Sequence, residues 1–312
     1  MLDSYSRNID YLRISLTDSC NFKCKYCSPQ DNIHCFEKSM SQQQIIDLVK
    51  LFSKMGIKKI RLTGGEPLLR KDLVEIVRGI KSIDKIEEVT MTSNGLLLLD
   101  KLEELKKAGL DRVNLSLDTF KRDKFKDITG VDGLNKILLS IDKLEELNMV
   151  PIKINCVLLN NFNSDEIEDF IKFTKDRKVQ VRFIELMTMG DNIEWGKGKY
   201  YSAAEVIKKH SELRFYREEN IAKIYKIPNS KGEIGFISPN SNKFCSSCNR
   251  IRLTSEGKLK LCLHSDKEYD MLEILEGKDP MKALKEIMGE KPKEHRLDEK
   301  KYIKKNMVSI GG

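Results

Sequence analysis

Short β-branched runs alternate with longer segments of helical period over the first 186 residues, and this alternation limits the folds open to the chain. The strand-like runs are residues 11–17, 58–63, 88–92, 112–117, 152–158 and 180–185. Between them, apolar side chains recur at intervals of three and four in residues 41–55, 71–80, 98–108, 134–147 and 164–175. Strands that alternate with helices form a parallel sheet with right-handed crossovers. Six such units fall short of the eight that close a barrel, so we predict an α/β fold with an open, partial (β/α)6 barrel of the TIM type.

The alternation of strand-like and helical segments ends after residue 186, where glycine and proline interrupt short strand-like runs such as residues 222–227 and 233–237. We therefore divide the chain into a partial barrel, residues 1–186, and a smaller C-terminal domain, residues 187–312. No low-complexity linker separates the two parts, so we expect them to pack around one site. In a sheet of this kind, that site lies at the carboxyl ends of the strands.

Composition excludes several classes of protein. A chain of 312 residues with 40% hydrophobic residues can bury a large core, which excludes a disordered or fibrous protein. No apolar run reaches the roughly eighteen residues of a membrane helix, and the N-terminus lacks the layout of a signal peptide. We therefore expect a cytoplasmic protein with no membrane partner, whose eight cysteines serve metal binding, catalysis or burial. The net charge of +8 favours an anionic partner such as a nucleotide.

Cys20, Cys24 and Cys27 stand together just after the first predicted strand. Three thiolates on one loop can hold three irons of a cubane cluster and leave the fourth iron open to another ligand. An iron that can bind another ligand indicates a catalytic cluster, and not one that only stores electrons. The alternative is a zinc knuckle completed by His34 or Cys35, although this spacing is not the usual one of a zinc hairpin.

The C-x3-C-x2-C spacing, with Tyr26 before the last cysteine, resembles the signature of the radical S-adenosylmethionine (SAM) enzymes. Residues 63–67, Thr-Gly-Gly-Glu-Pro, are similar to the GGEP motif of that family. The resemblance implies a barrel of the radical SAM type, a [4Fe-4S] cluster, SAM, and an electron donor such as flavodoxin or ferredoxin. Helix capping is the ordinary alternative role for small polar residues. The residues that the resemblance assigns to SAM are Tyr26, Gly64, Gly65, Thr92, Ser93, Asn94, Ser116 and Met187.

A second set of three cysteines, Cys245, Cys248 and Cys262, lies in the C-terminal part. His264 follows two residues later, so a zinc site of three cysteines and one histidine is an alternative here. The wider pattern, with arginines at 250 and 252, resembles the second-cluster motif of the GTP cyclases that open molybdenum cofactor synthesis. That resemblance runs from residue 11 to the C-terminal Gly-Gly, and implies a second [4Fe-4S] cluster in a C-terminal domain that closes the barrel.

The resemblance to the GTP cyclases also implies the reaction. A SAM-derived radical would take the hydrogen from the ribose 3' carbon of GTP, and the carbon radical would attack C8 of the base, which meets the open iron of the second cluster. The product would be (8S)-3',8-cyclo-7,8-dihydroguanosine 5'-triphosphate, which a separate cyclic pyranopterin monophosphate synthase would rearrange. The residues assigned to catalysis are Arg13, Arg250 and Arg252.

Scattered cations must hold the triphosphate, because the chain has no G-x4-G-K-[ST] phosphate loop. Several basic residues alternate with apolar ones in strands that should be buried, where a cation without a partner is costly. An outward or salt-bridged position is the alternative for each.

Glycines at the C-terminus can thread a narrow passage, so we expect the tail to enter the barrel beside GTP and help orient the ribose. The residues assigned to GTP are Arg13, Lys59, Arg61, Lys153, Arg182, Arg250, Arg252, Gly311 and Gly312.

Two functions of other classes stay open at this stage. A peptide-modifying radical SAM enzyme with an auxiliary cluster would share both cysteine triples, but it would have no reason to carry the Gly-Gly end. A zinc protein that binds nucleic acid is compatible with the net charge, although we expect no nucleic-acid partner. The oligomeric state stays open too, a homodimer included.

A Cys24→Ser variant tests the first cysteine triple. We expect SAM cleavage to disappear, because the cluster loses one of its three ligands, while about four iron atoms per chain remain at the second cluster. Deoxyadenosine formation and iron content measure the two effects, with Cys156→Ser as the control outside both triples. Deoxyadenosine formation at the parent rate would show that the first triple is not the radical source.

Overall fold

The computed structural model describes residues 1–27, 39–299 and 302–311, so His34, Cys35 and Gly312 lie outside the described residues. The first half contains β1 (Tyr11–Ser15), α1 (Gln42–Lys54), β2 (Lys59–Thr63), α2 (Leu73–Lys81), β3 (Glu88–Ser93), α3 (Leu102–Lys107), β4 (Arg112–Ser116), α4 (Arg122–Thr129), α5 (Leu134–Glu146), β5 (Ile152–Leu158), α6 (Ile167–Phe173) and β6 (Val179–Glu185). The second half contains α7 (Asn192–Trp195), α8 (Ala203–Lys209), β7 (Arg214–Glu219), β8 (Ala222–Lys226), β9 (Glu233–Ile237), β10 (Arg250–Leu253), β11 (Lys258–Lys260), β12 (Tyr269–Asp270), α9 (Met271–Glu276) and α10 (Pro280–Gly289).

The described strands form one sheet of twelve, in the order β12-β11-β10-β1-β2-β3-β4-β5-β6-β9-β8-β7. β1 to β6 pair in parallel and in chain order, which confirms the predicted partial barrel. The C-terminal part lengthens the sheet at both edges, since β10 joins β1 in parallel and β9 joins β6 in parallel. Antiparallel strands continue beyond each of these, and the sheet stays open.

Alternation along the strands separates the core from the inner face of the barrel. In β1, Leu12 and Ile14 are fully buried in the hydrophobic core, and in β2 Ile60 and Leu62 are buried in the same way. The intervening residues of both strands line a central cavity. Because side chains of a strand point alternately to its two faces, the residues of each parallel strand that line the cavity are spaced by two.

The helices cover the outer face of this sheet. In α1, Ile45, Leu48 and Phe52 repeat at the helical period and are buried, as the sequence predicts. Ser41 begins this helix with a capping box, because its side chain accepts from the backbone N–H of Gln44 while the Gln44 side chain accepts from the Ser41 backbone N–H. The described residues contain no helix long and apolar enough to cross a membrane.

Helix α4 is an element that the periodicity did not predict. Its apolar side is short, with Phe125 and Ile128 as its buried hydrophobic residues. It ends at Gly130, which takes the left-handed conformation with φ of 75°. Its place directly after β4 brings it beside the loop that follows β1.

Candidate active site

The first cysteine triple lies on a loop at the carboxyl end of β1. Backbone N–H groups of this loop donate to the last carbonyls of α4, at 2.8 and 3.2 Å. The Phe22 ring packs edge to face on Phe125 of the same helix, with ring centroids 5.7 Å apart. The helix that the sequence did not predict thus holds the loop of Cys20, Cys24 and Cys27.

Burial governs the chemistry of these three thiols. It raises the pKa of Cys20 to about 11 and the pKa of Cys27 to about 12. Burial also raises the pKa of Cys24 well above its usual range. A thiol in such surroundings loses its proton when a metal ion supplies positive charge, so the loop suits a metal-thiolate centre.

The distances between ligand atoms distinguish a cluster from a single metal ion. A tetrahedral zinc ion with Zn–S bonds of about 2.3 Å holds its ligand atoms within roughly 4 Å of one another. In the described ranges, the one group of histidine, cysteine or carboxylate residues that brings three ligand atoms within 4.8 Å is Glu168, His210 and Glu212. Neither cysteine triple is gathered so tightly, so the two triples fit a larger cubane better than one zinc ion.

Gly64 and Gly65, which follow β2, allow close approach to the backbone that leads into the first cysteine loop. A Cβ atom on Gly64 would lie 2.6 Å from the carbonyl oxygen of Thr17, and one on Gly65 would lie 2.2 Å from that of Ser19. Both contacts are with backbone atoms, which cannot rotate away as a side chain can. The glycines are therefore needed to keep this loop, which begins at Cys20, in place.

Glu66 joins the ends of two strands, although the sequence analysis assigned it no role of its own. Its carboxylate accepts from Ser93 Oγ at 2.9 Å, from the Asn94 backbone N–H at 2.7 Å and from the Leu68 backbone N–H at 3.0 Å. Burial raises the pKa of Glu66 to about 7 against the effect of these bonds. Asn94 Nδ2 in turn donates to Asn21 Oδ1, 2.7 Å away in the cysteine loop. Its place within the GGEP-like motif was the signal that could have identified Glu66.

Tyr26 and Asp118 join the cysteine loop to the next strands. Tyr26 Oη donates to Asp118 Oδ2 at 2.7 Å, and Asp118 Oδ1 accepts from the Val157 backbone N–H at 2.8 Å. Burial raises the pKa of Asp118 to about 6. Thr92 Oγ1 is buried without a hydrogen-bond partner among the described residues, as expected of a group that awaits a ligand. Every residue assigned to SAM lines the central cavity: Tyr26, Gly64, Gly65, Thr92, Ser93, Asn94, Ser116 and Met187.

The cations assigned to GTP share this cavity, which has a volume of about 450 Å³. Strand register explains their meeting, because Arg13 of β1 lies between Arg61 of β2 and Arg252 of β10. Burial and then the neighbouring Arg252 lower the pKa of Arg13, which shows how closely the like charges are placed. The cavity-lining cations of the predicted set are Arg13, Lys59, Arg61, Lys153, Arg182, Arg250 and Arg252.

Two of these arginines lie against Tyr11, which the sequence analysis assigned no role. The guanidinium carbons of Arg61 and Arg250 lie 5.6 and 5.7 Å from the Tyr11 ring centroid. Such cation–π contacts steady a guanidinium without neutralising it. The Nε atoms of both arginines are buried and have no hydrogen-bond partner among the described residues, so they remain available to an anion. Lys153 and Arg182, by contrast, are paired with Glu219 at the end of β7.

The second cysteine triple lies at the opposite end of the cavity from the first. The first triple follows the carboxyl end of β1, whereas Cys248 precedes the amino end of β10, which is parallel to β1. Cys262 lies just after β11, which runs antiparallel to β10 and so ends at the same side. Since β1 has five residues, the two triples are separated by roughly 15 Å along the strands. The cations lie between them.

His264 lines the cavity beside the second triple. Its ring lies edge to face against that of His295, with centroids 5.0 Å apart, and its buried Nδ1 has no hydrogen-bond partner among the described residues. Burial lowers the pKa of His264 to about 3, so the imidazole is neutral. His264, substrate and water all stay open as the fourth ligand of the second metal centre.

The described part of the C-terminal tail packs against the parallel strands at Gly311. Ile310 and Gly311 are buried, and the Gly311 carbonyl accepts from Arg252 Nη1 at 2.6 Å. Gly311 has φ of 69°, and a Cβ atom there would lie 2.5 Å from Thr63 Oγ1. The tail is fixed further back, where Asn306 exchanges hydrogen bonds with Asp191. Glycine is thus required at residue 311 by conformation and by space.

Comparison with known proteins agrees with these features. Residues 14–174 match the family model of the radical SAM superfamily, and residues 179–298 match the model named Molybdenum Cofactor Synthesis C. The GTP 3',8-cyclase of Clostridium botulinum (strain Langeland) is 46% identical over 319 residues, covering 100% of both chains. That of Peptoclostridium acidaminophilum is 45% identical over 320 residues, covering 100% of this chain and 98% of the relative.

Solved structures share the fold at low sequence identity. Streptococcus suis SuiB bound to S-adenosylmethionine is 15% identical, with a TM-score of 0.59 over 90% of this chain and 68% of that chain. SuiB bound to the precursor peptide SuiA is 14% identical, with the same TM-score over 97% of this chain and 76% of that chain. At this identity the likeness concerns the architecture alone.

A Gly65→Ala variant tests the packing of the first cysteine loop. The added methyl group meets the Ser19 carbonyl at 2.2 Å, so we expect the loop to move and the chain to keep only about four of its eight iron atoms. Gly289→Ala is the control, because its nearest atom is Ser4 Oγ at 3.8 Å. Full iron content in Gly65→Ala would contradict the packing role. Iron and sulfide analysis after anaerobic reconstitution provides the measurement.

Proposed function

The chain belongs to the GTP 3',8-cyclases of the radical SAM superfamily, and from this premise we propose that the central cavity holds SAM at the first cysteine triple and GTP along the cations. The family reaction converts GTP to (8S)-3',8-cyclo-7,8-dihydroguanosine 5'-triphosphate, the first step of molybdenum cofactor synthesis. The enzyme is thus a lyase that uses SAM and two [4Fe-4S] clusters.

One observation carries the proposal: both cysteine triples and all the predicted cations line the same cavity. Cys20, Cys24 and Cys27 would hold the cluster that supplies an electron to SAM, the source of the 5'-deoxyadenosyl radical. Cys245, Cys248 and Cys262 would hold the second cluster, with an iron left for guanine. GTP would lie between the two triples. Its guanine would meet the second cluster, and its phosphates would contact the cations.

The protein's own groups position the reactants. Glu66 holds Ser93 and Asn94 at the rim where the methionine part of SAM would lie. Arg250 and Arg252 would contact the nucleotide from β10, and Gly311 would approach its ribose. The attack of C3' on C8 is intramolecular, and fixing guanine at one end and the phosphates at the other would hold the two carbons in a reactive orientation.

Two regions would divide the work. We assign radical formation to residues 1–186 and binding of the second cluster and much of the substrate to residues 187–312. An electron donor such as flavodoxin or ferredoxin would supply the low-potential electron. The cyclic pyranopterin monophosphate synthase would take the product. Because cysteine ligands are kept as thiols in a reducing compartment, we propose the cytoplasm as the location.

The double variant Arg250→Ala, Arg252→Ala tests the role of β10 in substrate binding. Each charge-assisted bond contributes about 1.5–3 kcal/mol, so the loss of two should raise the KM for GTP by at least about 100-fold. Iron content should stay at the parent value, because neither residue is a cluster ligand. The control is Arg78→Ala, Arg214→Ala, in which both arginines are exposed. An unchanged KM would show that the β10 arginines do not hold GTP.

A further inference from the structure

Glu219 is a carboxylate inside the cavity that is proposed to bind a triphosphate. Its Oε1 accepts from Lys153 Nζ and, at 2.6 Å, from Arg182 Nη2. Its Oε2 accepts from Arg217 Nη2 at 2.8 Å and from Gln180 Nε2 at 3.1 Å. Donors from β5, β6 and β7 therefore meet on one acid, which lines the cavity itself.

The two cavity cations that meet Glu219 are deeply buried. The side chains of Lys153 and Arg182 are 4% and 9% exposed. Burial, together with the nearby Arg182 and Arg112, lowers the pKa of Lys153 to about 7, and the ion pair with Glu219 opposes that change. A buried cation without a counter-charge is costly, so these two need an anion at all times.

The position of Glu219 differs from that of the other cavity acids. Asp118 and Glu185 accept from neutral donors, and Glu88 pairs with Arg112, which is outside the predicted GTP set. Among the described acids that line the cavity, Glu219 is the one paired with cations proposed to bind phosphate. Lys59 pairs at 4.0 Å with Asp10, which does not line the cavity. A protein carboxylate and a phosphate oxygen would thus seek the same two side chains.

We propose that Glu219 is an internal counter-anion, which neutralises Lys153 and Arg182 while no nucleotide is bound and competes with the phosphates of GTP for them. The inference rests on the proposed function, in which both cations bind GTP. A carboxylate that stays beside the phosphates repels them, and one that moves away gives up its ion pairs. Either way, its charge opposes the binding of a polyanion.

The β7–β8 hairpin, which carries Glu219, has features that favour local opening. β7 is an edge strand of the sheet, and most of its side chains are exposed or half-buried, with Phe215 and Tyr216 more than half exposed. The turn to β8 begins at Asn220, which has φ of 55°. Edge segments with few buried contacts open at a low free-energy cost, so the carboxylate can withdraw without unfolding the barrel.

The experiment compares Glu219→Gln with Glu218→Gln in the full chain loaded with both clusters. Glutamine keeps the size and an acceptor oxygen but removes the charge, whereas Glu218 is exposed on the same strand. We expect Glu219→Gln to bind GTP about tenfold more tightly, the effect of one charged contact, and to bind guanosine as the parent does. Anaerobic equilibrium dialysis at pH 6.0 lies below the pKa of about 7 that Lys153 has in the parent. Arg182, with a pKa of about 10, stays charged even though the lost ion pair lowers the pKa of Lys153 further in Glu219→Gln. Glu218→Gln should match the parent for both ligands.

Weaker or unchanged GTP binding in Glu219→Gln would overturn the proposal, because it would make the carboxylate a support for the cations and not a competitor. A parent chain that binds GTP no better than guanosine would contradict the proposed function instead. The melting temperature gives a second readout. Without ligand it should fall in Glu219→Gln, and inorganic triphosphate should raise it by more than in the parent.

A Glu219→Asp variant keeps the test decisive if the glutamine variant does not fold. Its shorter side chain weakens the ion pairs with Lys153 and Arg182 while the charge stays. A smaller tightening of GTP binding is expected, and weaker binding would overturn the proposal here too.

Discussion

The structure depends above all on positive charge gathered on the inner face of one sheet. The two-residue period of a strand places apolar residues toward the helices and basic residues toward the cavity, as Leu12 and Arg13 do in β1. Like charges held together in a buried site repel one another. The chain offsets this only in part, with the Tyr11 ring between Arg61 and Arg250 and with ion pairs at its edges. In the proposed function the phosphates of GTP would balance the remaining positive charge.

The C-terminal part completes this design because it extends the sheet and does not form a separate layer. β10 adds to β1 in parallel, which aligns Arg252 with Arg13 and carries the second cysteine triple to the amino end of the strands. The tail then returns from that part to the carboxyl ends of β1 and β2, where Gly311 lies beside Ser15 and Thr63 and its carbonyl accepts from Arg252. Residues far apart in the chain therefore form one continuous surface between the two metal centres.

The sequence predicted the elements whose signals are local. All six strands of the partial barrel lie within two residues of their predicted bounds. Short runs of β-branched and apolar residues mark each strand in the sequence itself. Helix α4 was missed because its apolar stripe is short, and the pairing of β10 with β1 was missed because parallel pairing across the chain leaves no local pattern. The two cysteine triples were identified from their spacing, and the cavity-lining cations were identified through a family resemblance. Glu219 was not, because a strand reading Arg-Phe-Tyr-Arg-Glu-Glu looks like an exposed surface until tertiary contacts show which acid faces inward.

The fold alone does not select the reaction. SuiB has the same architecture at a TM-score of 0.59, although only 14–15% of its residues are identical. In this chain the barrel is lined by two cysteine triples roughly 15 Å apart and by a row of cations between them. Such a site can hold an extended anionic molecule at both ends. When the base and the phosphates are both fixed, the ribose between them can move little, and a radical formed on it is confined to the one neighbour that the geometry offers, C8 of the same nucleotide.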